Sequence, residues 1–292
     1  MKFTVKETSD LLSFLMKALD TDSKSHIRKI IRYEEVMING VRSKRPDQEL
    51  KPDDTVEIIK KKKNETFRRY KAPFPVLFED ENYIAVDKPA GLLTSGGTSE
   101  RTDTAFKAVN HYIKENTKGK NHAYVVHRLD KEVSGIVLFA KSEEAAEKIK
   151  AIWPDVEKKY YAFVEGTPKE KEGTIQSWLK EYKEKIFSVR ESPEAKLAIT
   201  HYSTLKTFTR YTLLEVKLET GRKNQIRVHL SDIGCPIIGD YKYGASKEIL
   251  RRIRLHAFSL SFVNPYTALP VTIESPMPVG FLRLGTKDEK YK

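Results

Sequence analysis

His127-Arg-Leu-Asp-Lys-Glu-Val-Ser-Gly-Ile-Val-Leu-Phe-Ala-Lys141 sets a cluster of charges directly against a wholly apolar segment. The apolar part, 135–140, has the length and the β-branched and aromatic content of a buried strand. Upstream, Ala-Tyr-Val-Val at 123–126 reads as a second strand. The charged residues between them therefore form a loop or bend at a sheet edge, where functional groups concentrate. Within this loop Asp130 lies beside Arg128 and Lys131, and nearby cations favour the ionised, nucleophilic form of a carboxylate. On residue chemistry alone, a surface loop with local ion pairs accounts for the same residues.

On either side the pattern continues. Segments 83–87, 160–164, 211–218 and 255–263 read as strands. Residues 142–153 read as a helix, acidic at its start and basic later as the helix dipole prefers, and 225–232 as another, stopped by Gly234. Strands mixed with a few helices, and no internal repeat, make 74–285 one α+β domain. Residues 1–59 form a smaller α/β unit. Leu11, Leu12, Phe14, Leu15 and Leu19 predict one short helix, and a second begins at Ser23 or Ser25 as N-cap. The second helix carries His26, Arg28, Lys29 and Arg32, with Ile27, Ile30 and Ile31 on its apolar side. Strand-like Val-Met-Ile at 36–38, the turn dipeptide Asn39-Gly40 and a closing strand at 55–59 complete the unit. Residues 60–73 are a basic linker opening KKKKNETFRRYK, and 286–292 are a tail.

Lysine and arginine number 53 against 41 acidic residues, a net charge of +12, and the pI is 9.4. That excess points to a polyanionic partner, nucleic acid first. No apolar run approaches the ~20 residues needed to cross a bilayer, so no membrane partner is expected. The opening residues lack the apolar region of a signal peptide, and a single cysteine excludes a disulfide framework within the chain. The expected setting is cytoplasmic and the expected state a monomer.

The wording of the 127–141 stretch resembles the signature of RluA-type RNA pseudouridine synthases: HRLD, a basic residue, a hydroxyl residue, Ser-Gly and an apolar strand. Val133 stands where the hydroxyl residue is usual. Further family stretches follow the same order: NYIAVDKPAGLLT from Asn82, KKYYAFVEG from Lys158, ETGRKNQIRVHLSDIGCPIIGDYKYG from Glu219 and LHAF from Leu255. The resemblance implies a mixed, largely antiparallel-sheet catalytic domain that isomerises uridine to pseudouridine: the N-glycosidic bond breaks, uracil turns, and carbon 5 joins the ribose. It places Asp130 as nucleophile, Tyr160 stacking on uracil with a hydroxyl available to assist proton removal, and Arg227 pairing with Asp130. Arg128 would fill the gap left by a flipped-out nucleotide. His127, Arg222 and Asn224 would contact substrate. Asn224 stands where the family often has histidine, and so does Cys235. No cofactor and no metal are expected, because isomerisation needs neither a redox change nor a group donor, and no dinucleotide fingerprint or metal-ligand spacing is present.

The first unit, over SKSHIRKIIRYEEVMINGVRSKRPDQELKPDDTVEI, resembles the S-four-type (alpha-L) RNA-binding domain. That resemblance implies phosphate contacts from Arg28, Lys29, Arg32, Arg42 and Lys44. Family habit leans the RNA toward large-subunit rRNA, with tRNA possible. Two alternatives stay open: a non-catalytic RNA-binding or ribosome-assembly factor, and a uracil methyltransferase using Cys235 as its thiolate.

Overall fold

The computed structural model describes residues 1–33, 35–59, 72–96, 103–247 and 252–283. All but the last two residues of the expected linker at 60–73, and the whole tail at 286–292, lie outside the described residues. The chain divides into two compact units, Met1–Arg68 and Arg69–Lys292.

The first unit runs β1 (Lys2–Thr4), β2 (Ser9–Asp10), α1 (Leu11–Ala18), α2 (Lys24–Tyr33), β3 (Glu35–Ile38), β4 (Val41–Ser43), β5 (Glu49–Leu50) and β6 (Thr55–Ile59). Asp10 caps α1 by accepting from the Ser13 amide at 2.9 Å, and Ser23 Oγ accepts from the His26 amide at the start of α2. The helices bury Leu11, Leu15, Ile27 and Ile31 against Val36, Val56 and Ile58 of an antiparallel sheet ordered β1-β6-β3-β4. Asn39 and Gly40 both have positive φ, 50° and 79°, the backbone a two-residue β3–β4 hairpin turn demands.

In the second unit β7 (Val76–Glu79), β8 (Tyr83–Lys88), α3 (Ala105–Asn116), β9 (Tyr124–Val125), β10 (Ser134–Ala140) and α4 (Glu143–Ala151) come first. Then follow β11 (Glu157–Glu165), β12 (Glu172–Tyr182), β13 (Lys185–Val189), β14 (Lys196–Thr207), β15 (Tyr211–Leu218), α5 (Gln225–Asp232), β16 (Leu255–Val263) and β17 (Pro270–Glu274). One sheet takes all these strands in the order β13-β12-β14-β15-β11-β16-β10-β8-β7, with β17 beside β16 and β9 beside β10. Every pairing in it is antiparallel except β10 with β16, so the domain has the mixed, largely antiparallel sheet the motifs imply. The helix expected at 142–153 ends two residues early. Pro154 disfavours helical backbone in the residue before it, and the chain turns through a short 3₁₀ segment at Trp153–Asp155. No helix among the described residues is long and apolar enough to cross a membrane.

Strand β10 is buried along its whole length, which is why it reads as an unbroken apolar run. Its residues alternate between two cores. Val137 and Phe139 pack with Val109 and Ile113 of α3 and with Ile226 and Leu230 of α5. Ile136, Leu138 and Ala140 pack with Ala145 and Ile149 of α4 and with Leu260. At the head of β10, Gly135 has φ +115° and lies so close to β16 that an added Cβ would sit 2.2 Å from the Ala257 carbonyl oxygen. Only glycine fits there. Gly135→Ala is expected to destabilise the protein by about 1–3 kcal/mol, read as a lower urea midpoint, and to reduce activity by displacing the loop that enters β10.

Candidate active site

The loop between β9 and β10 carries the charged residues, and three groups from the end of β8 and the segment after it hold its backbone. Thr94 Oγ1 donates to the Leu129 carbonyl at 2.8 Å and accepts from the Leu129 amide at 3.0 Å. The Gly91 amide donates to the Lys131 carbonyl at 2.7 Å. Lys88 is fully buried, and its ammonium donates to the carbonyls of Val133 (2.6 Å), Leu92 (2.8 Å) and Pro89 (3.1 Å), with that of Lys131 at 3.4 Å. Burial pushes this lysine down to about 8, opposed by the charges of Asp130 and Glu132, so it remains a cation at neutral pH. With Leu129 and Val133 buried on either side, Asp130 is fixed at the apex.

Asp130 is 29% exposed and accepts a charged hydrogen bond from Arg227 Nη1 at 3.0 Å. Arg227 stands on α5 and is almost wholly buried, as is the second carboxylate it meets. Its Nε and Nη2 bind Asp240 Oδ2 and Oδ1 at 2.6 and 2.9 Å, a bidentate fork. The guanidinium lies over the Tyr243 ring, 5.1 Å from its centroid. Burial opposes its charge, but Asp240 and then Asp130 outweigh that, and its pKa rises. Asn224 opens α5 in left-handed backbone (φ 54°), with its amide donating to the Tyr243 hydroxyl at 2.9 Å and its carbonyl accepting from Arg227 Nη1 at 3.3 Å. It therefore positions the arginine as well as bordering the pocket.

The pocket at Asp130 has an apolar wall that includes Tyr160, Leu218, Ile226 and Leu255. Its polar groups are Arg128, Asp130, Arg222, Asn224, Gln225 and Arg227. Tyr160, on β11, is held above the ordinary tyrosine pKa by burial and by the Asp130 carboxylate. At physiological pH it is thus a neutral phenol, suited to stacking and hydrogen bonding and not to action as a phenolate base. Arg128 is exposed at the pocket's edge. Arg222 directs Nε to the Leu197 carbonyl at 3.0 Å while its backbone amide donates to Gln225. The structure thus brings together the loop aspartate, Tyr160, Arg227, Arg128, Arg222 and Asn224.

His127 does not line this pocket: it stacks on Trp153, and its Nε2 accepts from the Leu138 amide at 3.0 Å. Cys235 is buried in the core, and burial pushes its thiol up, opposite to what a thiolate nucleophile requires. In the first unit Arg28 and Arg32 are exposed one turn apart on α2, and Arg42 on β4 and Lys44 beyond it are exposed too. The side chain of Lys29 lies outside the described part. Among the described residues no group of His, Cys, Asp and Glu is arranged to hold a metal ion. Lys88, Thr94, Asp240 and Tyr243 were not singled out in the sequence. The first two lie in or beside the Lys-Pro-Ala-Gly segment and the last two in Gly-Asp-Tyr-Lys-Tyr, so their motifs carried a signal, but their contacts span the fold.

Replacing Lys88 by methionine strips donors from the Leu92 and Val133 carbonyls, each worth about 1–3 kcal/mol when orphaned. A lower unfolding free energy and a slower reaction are expected, read by urea titration and single-turnover assay. His127 is held neutral by burial, down to about 3 from an ordinary 6.5. Its unfolded form takes up a proton first, so stability is full above pH 6.5 and is lost as pH falls toward 3. Melting temperatures should fall between pH 7 and pH 4, and fall less in His127→Gln.

The sequence pattern of the family described as RNA pseudouridylate synthase matches residues 82–232. An uncharacterised RNA pseudouridine synthase of Aquifex aeolicus is 32% identical over 284 residues, covering 91% of this chain and 89% of that protein. Ribosomal large subunit pseudouridine synthase D of Xanthomonas campestris is 30% identical, over 90% of this chain and 83% of its own. Among solved structures, human RNA pseudouridylate synthase domain containing 4 superposes with a TM-score of 0.60 at 26% identity, over 71% of this chain and 90% of that one. With a matching pattern over more than half its length and relatives along nearly all of it, this chain belongs to the RNA pseudouridylate synthase family and is an RNA pseudouridine synthase, an isomerase.

Proposed function

We propose that the chain isomerises one or more uridines of large-subunit ribosomal RNA, with Asp130 as the nucleophile and the first unit as an S-four-type RNA-binding module. The observation that carries the catalytic part is the 3.0 Å bond from Arg227 Nη1 to Asp130, which holds a partly exposed carboxylate at the floor of a pocket with an aromatic wall. A carboxylate so held has an oxygen free to face the pocket.

The target uridine reaches that pocket only by leaving its stack, which costs a few kcal/mol. Tyr160 stacks on the flipped uracil, contributing about 1–3 kcal/mol toward that cost, and Arg128 at the pocket's edge takes the vacated place. Asp130 then forms a covalent bond to the nucleotide, dividing one difficult displacement into two easier steps. Arg222 binds phosphate nearby. The ribosomal reading draws support from the Xanthomonas relative, whose name specifies the large ribosomal subunit and which aligns along 90% of this chain, so that the alignment extends into the first unit. The exposed cations Arg28, Arg32, Arg42 and Lys44 suit that unit to RNA phosphates.

Pseudouridine formation expels the hydrogen on carbon 5 of uridine, so release of tritium from that position reports turnover. With unmodified large-subunit rRNA, the intact protein is expected to release tritium and Asp130→Asn to release none above background. Equal release by both overturns Asp130 as the nucleophile. Release from tRNA but not from rRNA overturns the ribosomal target and leaves the nucleophile standing.

A further inference from the structure

A second cleft adjoins the pocket at Asp130. Asp130, Asn224 and Arg227 line both, so the Arg227–Asp130 pair borders each of them. The second cleft has a volume of about 680 Å³, inside the roughly 300–1,000 Å³ of small-ligand sites. Lys131 and Glu132 of the Asp130 loop line it, as do Glu181 and Glu184 of the β12–β13 hairpin, Lys223 and Lys242. Five carboxylates and four cations stand in its wall, a balance of −1 in a chain of +12. Much of that charge is already engaged. Arg227 is held by Asp130 and Asp240, Lys223 pairs with Glu181, and the Lys242 ammonium donates to the Glu184 carbonyl at 2.6 Å. Glu132 and Glu184 are exposed and form no ion pair among the described residues. A phosphate would be repelled by such carboxylates, and among the described residues no acidic group is arranged to hold a metal ion. The groups of RNA that match a carboxylate are the N–H donors of base edges.

We infer that this cleft holds the base next to the target uridine and that Glu132 selects guanine there, its two carboxylate oxygens accepting from guanine N1–H and N2–H. This rests on the uridine entering the pocket at Asp130. The substrate is a polymer, so a uridine in that pocket brings its chain neighbour to the adjoining cleft. Glu132 is the better placed of the two unpaired carboxylates. Its backbone is fixed on both sides: the Lys131 carbonyl accepts from the Gly91 amide at 2.7 Å, and the Val133 carbonyl from the Lys88 ammonium at 2.6 Å. The carboxylate is thereby anchored two residues from Asp130. Glu184 sits instead in the hairpin turn, where it and Lys183 both have positive φ, 63° and 46°. Guanine is the base whose Watson–Crick edge offers two adjacent donors to one carboxylate. Adenine and cytosine each offer one exocyclic amine beside a ring acceptor, and uracil a single ring N–H. Lys131, exposed beside Glu132, suits the O6 acceptor on the same edge. Such edges are open to side chains in unstacked, single-stranded RNA. A base without the paired donors sets an acceptor against the Glu132 carboxylate, which is how a polar site rejects a wrong partner.

The test uses the full chain and total RNA from cells lacking the enzyme, so that it does not depend on which RNA is the target. Pseudouridines formed by the added protein are mapped at base resolution through their carbodiimide adducts. Guanine is expected beside each modified uridine, and a modified uridine with other bases on both sides overturns the proposal. A short RNA spanning a mapped site is then made with that guanine or with inosine, which lacks only the N2 amine. Inosine should lower kcat/KM of the parent roughly tenfold, the scale of one base-specific contact. Glu132→Ala, a truncation at an exposed position, should lose a similar factor on the guanine RNA. Exchanging guanine for inosine should then change the rate of this variant by less than about twofold, because the contact is already gone. Losses that multiply when the two changes are combined overturn the contact. Coupling of inosine to Glu184→Ala and not to Glu132→Ala overturns the choice of residue. Asp130→Asn on the guanine RNA separates the two readings. If it retains turnover, the Asp130 pocket falls and this inference with it; if it loses turnover while guanine and Glu132 are uncoupled, only this inference falls.

Discussion

The catalytic unit is organised around a place where two backbones nearly touch. At Gly135 the chain leaves the loop of Asp130 and enters β10 with no room for a side chain against Ala257 of β16. This is where the one parallel pairing in an otherwise antiparallel sheet is made, at Ser134–His256 and Gly135–Ala257. The contact places β10 between β16 and β8, buries it on both faces, and fixes where the loop before it must begin. Below the glycine, the neighbouring Ser134 hydroxyl is 2.9 Å from His256 Nδ1, and Ser275 is on the other ring nitrogen, so the seam is stitched by buried polar groups as well as by backbone.

Charges are buried in this domain as internal scaffolding. A buried ion pair or ammonium adds little net stability, because desolvation offsets most of what the charges gain. Such groups are strongly directional, however. Lys88 gathers carbonyls from two separate loop segments onto one nitrogen, and Arg227 ties α5 to the Asp240 turn and to the Asp130 loop. An apolar side chain of similar volume would fill either space but would orient nothing. Three segments distant in sequence thereby meet beside the candidate site.

How much of this could be read in advance depended on burial. Strands 211–218 and 255–263 and helix 225–232 have the ends their sequence suggests, because each is apolar on at least one face and is bounded by turn residues. Helix α3 and the β12–β13 hairpin were not read. In α3 the buried positions Ala105, Val109 and Ile113 are spaced among aromatic and polar residues, and Val109 and Ile113 themselves have modest helix propensity, while β12 shows mostly exposed or half-buried positions, polar residues among them, next to the edge strand β13. The grouping of Asp130, Tyr160 and Arg227 around one pocket follows the motif wording. Lys88 and Asp240 looked like ordinary charged residues, since nothing local says that a lysine faces carbonyls from 43 and 45 positions away. Arg128, Leu129 and Asp130 of the same motif line the pocket, whereas the His127 ring is engaged by Trp153 and the Leu138 amide.

The seam between β10 and β16 also orders events in time. Ser134 and His256 are 122 residues apart, so pairing them closes a very long loop, and such contacts form late because chain entropy opposes them until much else is in place. As the chain emerges during synthesis, β8, β10 and α4 can associate early, but the segment bearing Asp130 gains its outer wall only when β16 has emerged. A truncated or half-made chain therefore carries the charged loop without the strand that sets its entry, so the first unit can be complete before the Asp130 loop is fixed in place.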